Sequence, residues 1–357
     1  MKPDICQLNM EELQQALSAM GEAKFRAAQI YDWLHRCGVR EFSGMSNLPK
    51  ALRERLDSEY MITVMEPAEI YVSRIDGTRK YVFALSDGNA IEAVLMRYKH
   101  GNSVCISSQV GCRMGCRFCA STLDGCVRSL SAAEMLAEVY RIGEDTGERV
   151  SNVVLMGSGE PMDNYDEVCR FLRMITDERG LHISARNITV STCGIPDRIR
   201  QLAGEGLPVT LALSLHAPTQ EKREEIMPAA KVWHLPEVLA ACRYYYERTG
   251  RRLSFEYSVV KGVNDTRDNA AALADLLNRE GFGGSDRRKG GREGMCHVNL
   301  IPVNPIEERE YESPDRRTVE AFQQVLIQNG INATIRREMG RDISSACGQL
   351  RRRYIRA

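Results

Sequence analysis

Charge of one sign is missing from this chain as a whole: lysine plus arginine and aspartate plus glutamate stand at 48 each over 357 residues. No global basic field advertises a nucleic-acid partner, so any contact with phosphates has to rest on local patches. Also absent are a run of the ~18 apolar residues that a membrane span needs and, in the opening MKPDICQLNM, the apolar core of a signal peptide. These absences predict a cytosolic protein with no membrane partner. A chain of this length buries a large core and suits one barrel-sized unit with a small appendage better than two equal domains.

Cysteine, by contrast, is plentiful at 12 residues. Where thiols are kept reduced, clustered cysteines more often bind metal or react than staple a fold. Cys6, Cys37, Cys169, Cys193, Cys242 and Cys296 are dispersed among apolar neighbours or in predicted elements and read as buried small hydrophobes. Cys105, Cys112, Cys116, Cys119, Cys126 and Cys347 stand apart, and of these Cys126 reads as structural.

From Met10 to Tyr60 the pattern is helical, with Ile30, Trp33, Leu34 and Cys37 at i, i+3, i+4, i+7 and Gly38 as a stop. Residues 1–60 therefore form a small helical domain. Residues 61–100 read as a β-rich linker, a meander of runs at 61–65, 70–73, 80–85 and 90–96 with turns at Asp76-Gly77 and Asp87-Gly88. Residues 101–357 alternate strands (104–107, 153–156, 188–191, 209–213, 253–259, 298–301 and a last one at 333–336) with helices, which implies parallel βαβ units. Ser131 and Glu134 form a capping box at one helix, and Ser313-Pro314 is expected to open another. Six or seven repeats are too few for a closed eightfold barrel, so the fold class is α/β, a partial (βα)6 barrel whose chemistry gathers beyond the carboxyl ends of its strands. Gly281 to Gly294, glycine-rich and basic, interrupts it as a surface loop.

After the first barrel strand, Cys112-Arg113-Met114-Gly115-Cys116-Arg117-Phe118-Cys119 brings three thiols together in a C-x3-C-x2-C loop. Structural zinc wants four protein ligands, whereas a [4Fe–4S] cube on three cysteines leaves one iron open for a small molecule. A zinc site completed by Cys105 or Cys126 remains the alternative. Elsewhere Met156-Gly157-Ser158-Gly159-Glu160-Pro161, Ser191, Ser214-Leu215-His216 and Asn304 all fall at strand ends, where each alone would pass as a turn or a loop.

The C-x3-C-x2-C loop with an aromatic before its last cysteine resembles the radical S-adenosylmethionine superfamily. The resemblance implies that Cys112, Cys116 and Cys119 ligate the cluster and that its open iron chelates S-adenosylmethionine. It also implies that Gly159, Glu160, Ser191, Ser214, Leu215, His216 and Asn304 contact that cofactor. Two further segments narrow the likeness, Val104-Cys105-Ile106-Ser107-Ser108-Gln109-Val110-Gly111 and Gly340-Arg341-Asp342-Ile343-Ser344-Ser345-Ala346-Cys347-Gly348-Gln349-Leu350. With Lys24-Phe25-Arg26-Ala27-Ala28-Gln29-Ile30 near the start, they resemble the RlmN family, whose members methylate C2 of adenosine in 23S rRNA and in tRNA next to the anticodon. Two departures are Ser158, where a hydrophobic residue is commoner, and the basic insertion.

Because C2 of adenine bears a non-acidic hydrogen between two ring nitrogens, polar methylation there is unsuitable and radical addition is needed. The resemblance implies two S-adenosylmethionine molecules per turnover, one to methylate Cys347 and one cleaved to a radical that activates the methyl. A covalent protein–RNA adduct follows, with Glu92 as proton acceptor. Cys105 then resolves the adduct through a disulfide with Cys347 that cellular thiols reduce. The implied partners are 23S rRNA, tRNA and an electron donor such as a flavodoxin-type protein, and the protein is expected to act as a monomer. The N-terminal helices, the insertion and Arg351-Arg352-Arg353-Tyr354-Ile355-Arg356 are the candidate phosphate contacts. Rival readings are the sister activity at adenine C8 and a non-catalytic, metal-bearing RNA-binding protein.

Overall fold

Amphipathic spacing and one good cap start the chain. Helix α1 (Met10–Ala19) opens on Asn9, whose side chain and that of Glu12 satisfy each other's backbone amides. Helices α2 (Phe25–His35) and α3 (Lys50–Glu59) follow. Their buried stripes, Leu13, Leu17, Ile30, Leu34, Leu52 and Leu56, join the same apolar core as the barrel. The computed structural model describes residues 2–99, 101–283, 295–306, 308–343 and 354.

The expected strand at 61–65 does not form. Met61 makes a single parallel bridge to Asp4, and Thr63 turns its amide and hydroxyl to the Asp4 carboxylate, so the apolar run serves to tie down the N-terminus. Cys37 is also corrected: it is exposed, because α2 ends at His35 and the helical stripe stops short of it.

The meander that follows is β1 (Pro67–Val72), β2 (Arg79–Ala84) and β3 (Ala90–Tyr98), and it leads into β4 (Gly101–Cys105), each strand antiparallel to the one before. This segment is more than a linker, because β3 bonds directly to β4 and one ten-stranded sheet results. A two-stranded hairpin, β5 (Gln109–Gly111) and β6 (Cys126–Ser129), interrupts the chain before α4 (Ala132–Thr146). The Ser131–Glu134 capping box at the start of α4 is present as expected.

Then come β7 (Val150–Leu155), α5 (Tyr165–Thr176), β8 (Ile188–Thr192), α6 (Pro196–Gly204), β9 (Thr210–Ser214), α7 (Gln220–Ile226), α8 (Leu235–Thr249), β10 (Leu253–Val259), α9 (Arg267–Arg279), β11 (Cys296–Pro302), α10 (Arg316–Gln328) and β12 (Ala333–Ile335). From β4 through β7 to β12 every neighbouring pair is parallel, giving the partial α/β barrel. The cap of α10 is Asp315 rather than Ser313: the Asp315 carboxylate accepts from Thr318 N–H at 2.8 Å, and an anion there also suits the helix dipole.

Register decides what faces the lumen. Directly opposed residues point to one side of a sheet, so Lys80, Val94, Cys105, Val154, Thr189 and Thr210 form one row across six strands. Ser214, Glu256, Asn299 and Thr334 form another. A cavity of about 600 Å³ opens on these rows, lined among others by Val154, Met156, Glu256 and Asn299. Among the described residues, no helix is long and apolar enough to cross a membrane.

Candidate active site

The hairpin β5–β6 exists to carry the cysteine loop. Its neck is closed where Cys112 N–H donates to Gly125 carbonyl at 2.9 Å. Inside it, Thr122 hydroxyl reaches the carbonyls of Cys116 and Cys119, both at 2.9 Å. Arg117 N–H donates to Ile226 carbonyl at 2.9 Å, which pins the loop to the end of α7. Phe118, just before the last cysteine, sets its ring edge-on to His216 with centroids 4.7 Å apart.

The three sulfurs sense one another. Burial pushes the Cys112 thiol up to about 12, with the charges of Cys119, Glu160 and Cys126 adding to it. Burial raises Cys116 well above the ordinary range as well, followed by the charges of Cys119, Cys112 and Glu160, with Arg223 opposing. A pocket where thiols are buried together resists forming thiolates until positive charge arrives, which is what iron supplies to its ligands. Among the described residues, no trio of Cys, His or acidic groups has the close geometry of ligands to a single ion. Structural zinc takes four protein ligands, whereas a [4Fe–4S] cube takes three thiolates and leaves one iron open, and the C-x3-C-x2-C loop supplies three thiols.

Behind the loop, the Gly157–Pro161 turn is pressed onto the end of β4. A Cβ at Gly157 would stand 2.5 Å from Ile106 carbonyl, and one at Gly159, where φ is +108°, would meet Gln109 Cβ at 2.6 Å. Glycine is required there so that backbone can lie on backbone. The Gln109 side chain accepts from Glu160 N–H at 2.9 Å and donates to Asp163 at 3.0 Å. Ser158 is integrated into the same contact: its hydroxyl accepts from Gly111 N–H at 3.1 Å, so the departure from a hydrophobic residue supports the hairpin.

Glu160 is buried, and its two oxygens accept from Met162 N–H at 3.0 Å and Cys193 N–H at 2.7 Å. Burial raises its carboxyl, and those hydrogen bonds work against the rise. Cys193 is buried as expected, yet it packs with Cys112, Met114, Cys116 and Phe118 and so belongs to the site.

At the ends of β8 and β9, Arg223 is 1% exposed. Its guanidinium donates to Leu215 and Ser214 carbonyls at 3.2 Å each and also to Cys193 carbonyl. His216 has φ of +56°, in the left-handed region. Its Nδ1 accepts from Ser258 N–H at 2.9 Å, which puts the proton of the neutral ring on Nε2. Burial, with Arg223 adding, lowers His216 to about 3 and keeps it neutral. Asn264 completes this shelf, donating to His216 and Ser258 carbonyls at 2.8 Å. Ser191 and Ser214 lie in inward-facing rows, and Asn304 is exposed just past β11.

Across the lumen, Cys105 packs with Val94, Met96, Val154, Met156 and Met339. Glu92 lies one inward position along β3 from Val94 and forms a buried ion pair with Lys80, Nζ to Oε2 at 3.1 Å. Ser107 links this side to the glycine turn, its hydroxyl donating to Glu92 carbonyl at 2.8 Å and accepting from Ser158 N–H at 3.0 Å. Cys347, residues 284–294 of the insertion and the tail arginines lie outside the described residues. The segment before Cys347 is anchored on the meander, Gly340 N–H to Asp76 at 2.9 Å and Ser73 hydroxyl to Asp342 at 2.6 Å.

Arg223, Gln109, Asn264, Lys80 and Cys193 were not among the site residues expected from sequence. Each acts through backbone groups or partners distant in the chain, and only Gln109 carried a signal, lying within a segment already singled out.

Comparison with known proteins agrees with this geometry. Residues 3–62 match the ribosomal RNA large subunit methyltransferase N-terminal domain, and residues 106–274 match the radical SAM superfamily. The chain is 57% identical over 353 residues to a probable dual-specificity RNA methyltransferase RlmN of Lachnoclostridium phytofermentans, covering 99% of this chain and 95% of the relative. It is 55% identical to a protein of the same description from Lachnospira eligens, covering 99% and 97%. A crystal structure of a radical SAM methyltransferase from Sphaerobacter thermophilus superposes with a TM-score of 0.89 at 40% identity, covering 97% of this chain and 98% of that one. Matched over 99% of its length by relatives of that description, and by both family domains, the chain belongs to the RlmN family of radical SAM RNA methyltransferases.

Proposed function

We propose that this enzyme methylates C2 of adenosine in 23S rRNA and in tRNA next to the anticodon, in the cytosol where both RNAs work. The observation that carries the reading is the inward face that Glu92 and Cys105 share with Ser191 and Ser214. That shared face supports reading Glu92 as a base and Cys105 as a thiol that act on one substrate.

Cys112, Cys116 and Cys119 would hold a [4Fe–4S] cluster, and Gly159, Glu160, Ser191, Ser214, Leu215, His216 and Asn304 would contact S-adenosylmethionine. Together these groups supply a methyl for transfer and the one-electron chemistry that activates it, at two S-adenosylmethionine molecules per turnover. The electron comes from a flavodoxin-type donor, and the enzyme acts as a monomer.

Cys347 carries the methyl group as a thioether; after one hydrogen atom is taken from that methyl by the cofactor-derived radical, its carbon bonds to C2, and the unpaired electron left on the purine would pass to the cluster that Cys112, Cys116 and Cys119 would hold. Glu92 takes the C2 proton. Cys105 thiolate then attacks the Cys347 sulfur, forming the S–S bond while the C–S bond breaks with its electron pair moving to carbon. That carbon takes a proton and becomes the methyl of the product, and external thiols reduce the disulfide.

The test is anaerobic turnover with RNA fragments, followed by mass spectrometry of digested nucleosides. The expected product is 2-methyladenosine, and 8-methyladenosine would refute the assignment. Cys347→Ala should give no product, whereas Cys105→Ala should co-purify with RNA bound covalently through Cys347. Normal turnover of an RNA-free Cys105→Ala protein would overturn the roles given to the two thiols.

A further inference from the structure

Among the described side chains on the inward face of the sheet, Lys80 is a fully buried cation. Lys80 on β2 is 0% exposed, and its ammonium lies 3.1 Å from Glu92, itself 4% exposed. Its row in the sheet runs through Val94 to Cys105, two strand spacings or about 10 Å away. Stability alone does not explain such a pair, since a buried ion pair replaced by well-packed apolar residues is often neutral or stabilising. Apolar alternatives were at hand: Val82, Val94 and Met96 occupy adjacent inward positions.

We propose that Lys80 is the positioning residue of the deprotonation step, holding Glu92 as a carboxylate on the face it shares with Cys105. The inference rests on Glu92 as the base. A carboxyl buried with only apolar neighbours stays protonated and can accept nothing, and an adjacent ammonium reverses that preference. Among the described residues, the groups around Glu92 include Lys80 from β2, Cys105 from β4, Tyr71 from β1 and Tyr354 from the tail, both packed on Val82 and Ala90, and Glu138, which reaches Ser107 N–H from α4. Lys80 is the cation among them. In the step itself the C2–H bond breaks heterolytically, the proton goes to a Glu92 oxygen and the electron pair stays in the purine ring.

The experiment follows adduct resolution in the reconstituted holoenzyme with an RNA fragment as a function of pH, for wild type, Lys80→Met, Lys80→Arg and Glu92→Gln. In Lys80→Met the acid limb should move to higher pH, with a loss of about tenfold or more at pH 7 that raising the pH recovers, one pH unit corresponding to tenfold. Lys80→Arg should keep the wild-type profile, and Glu92→Gln should stall at every pH. If Lys80→Met superimposes on wild type while Glu92→Gln stalls, the base stands and the role of Lys80 falls. A Lys80→Met stall that no pH relieves overturns it equally. Normal resolution by Glu92→Gln removes the base, and the inference with it. Should Lys80→Met fail to fold, an infrared difference spectrum between wild type and Glu92→Gln at pH 7 decides. A missing carboxylate band upholds the proposal, and a missing carboxylic-acid band defeats it.

Discussion

On the cysteine-loop side of the barrel mouth, three cysteines lie within eight residues of chain, and the turns around them are held by backbone amides and carbonyls. On the meander side, Lys80, Glu92 and Cys105 are held by strand register and burial. The first arrangement is local and can be written as a motif; the second depends on pairing between strands separated by turns. Shifting β3 by one residue would turn Glu92 outward, whereas the C-x3-C-x2-C spacing would be untouched.

The largest expected effect separates the two sides completely. Cys112→Ala, Cys116→Ala and Cys119→Ala should each lose the cluster and all deoxyadenosine formation, while Cys105→Ala and Cys126→Ala keep full iron and sulfide. Iron analysis with the visible absorbance band checks this, and a full cluster in any of the first three would refute the ligand set.

Next in size are the supports of the loop side. Arg223→Met takes a donor from the Leu215, Ser214 and Cys193 carbonyls, Leu215 keeping the Ala217 N–H, at about 1–3 kcal/mol for each buried group left unsatisfied. Gly157→Ala forces a Cβ onto Ile106 carbonyl and should cost about 1–3 kcal/mol by overpacking. Denaturant midpoints measure both, and unchanged midpoints would show that the turns on this side yield more easily than their contacts imply.

The smallest effect concerns Glu138, which accepts from Ser107 N–H at 3.1 Å where the two sides meet. Burial raises its carboxyl well above the ordinary range. The folded protein therefore keeps a proton that the unfolded chain releases near pH ~4.3, so this contribution is full below that pH and declines as pH rises toward the folded value. Glu138→Gln should remove that decline, matching wild type near pH 4 and exceeding it at pH 8. Parallel stability-versus-pH curves would contradict the assignment.

Much of this was legible in the sequence for reasons that differ by element. The α2 stripe through Ile30 and Leu34, though not its Cys37 end, and the box at Ser131 depend on neighbours within a few residues, and these hold. The apolar run at 61–65 was misread because hydrophobicity cannot distinguish a strand from a tether to Asp4. The three-residue strand β5 is too short to show alternation, so the hairpin carrying the cysteines went unread although the cysteines themselves did not. Arg223 looked like one more charge on an acidic and basic helix, because its carbonyl partners on β8 and β9 leave no mark in composition. Lys80 was hidden similarly, in a strand whose partner is fixed only once β2 and β3 pair.

The direct bond between β3 and β4 also bears on the order in which the protein is made. Strands β1 to β4 are consecutive antiparallel neighbours joined by short turns, so they close over small loops, whereas each later parallel strand waits for a helical crossover. During synthesis from the N-terminus, this ribbon can leave the ribosome paired before the remaining strands exist. The edge of β4 that it leaves open is the one that β7 takes up. The nascent barrel thus grows from a template that already carries Glu92 and Cys105, and the Cys105 thiol enters the lumen on an interior strand rather than on the last edge to be sealed.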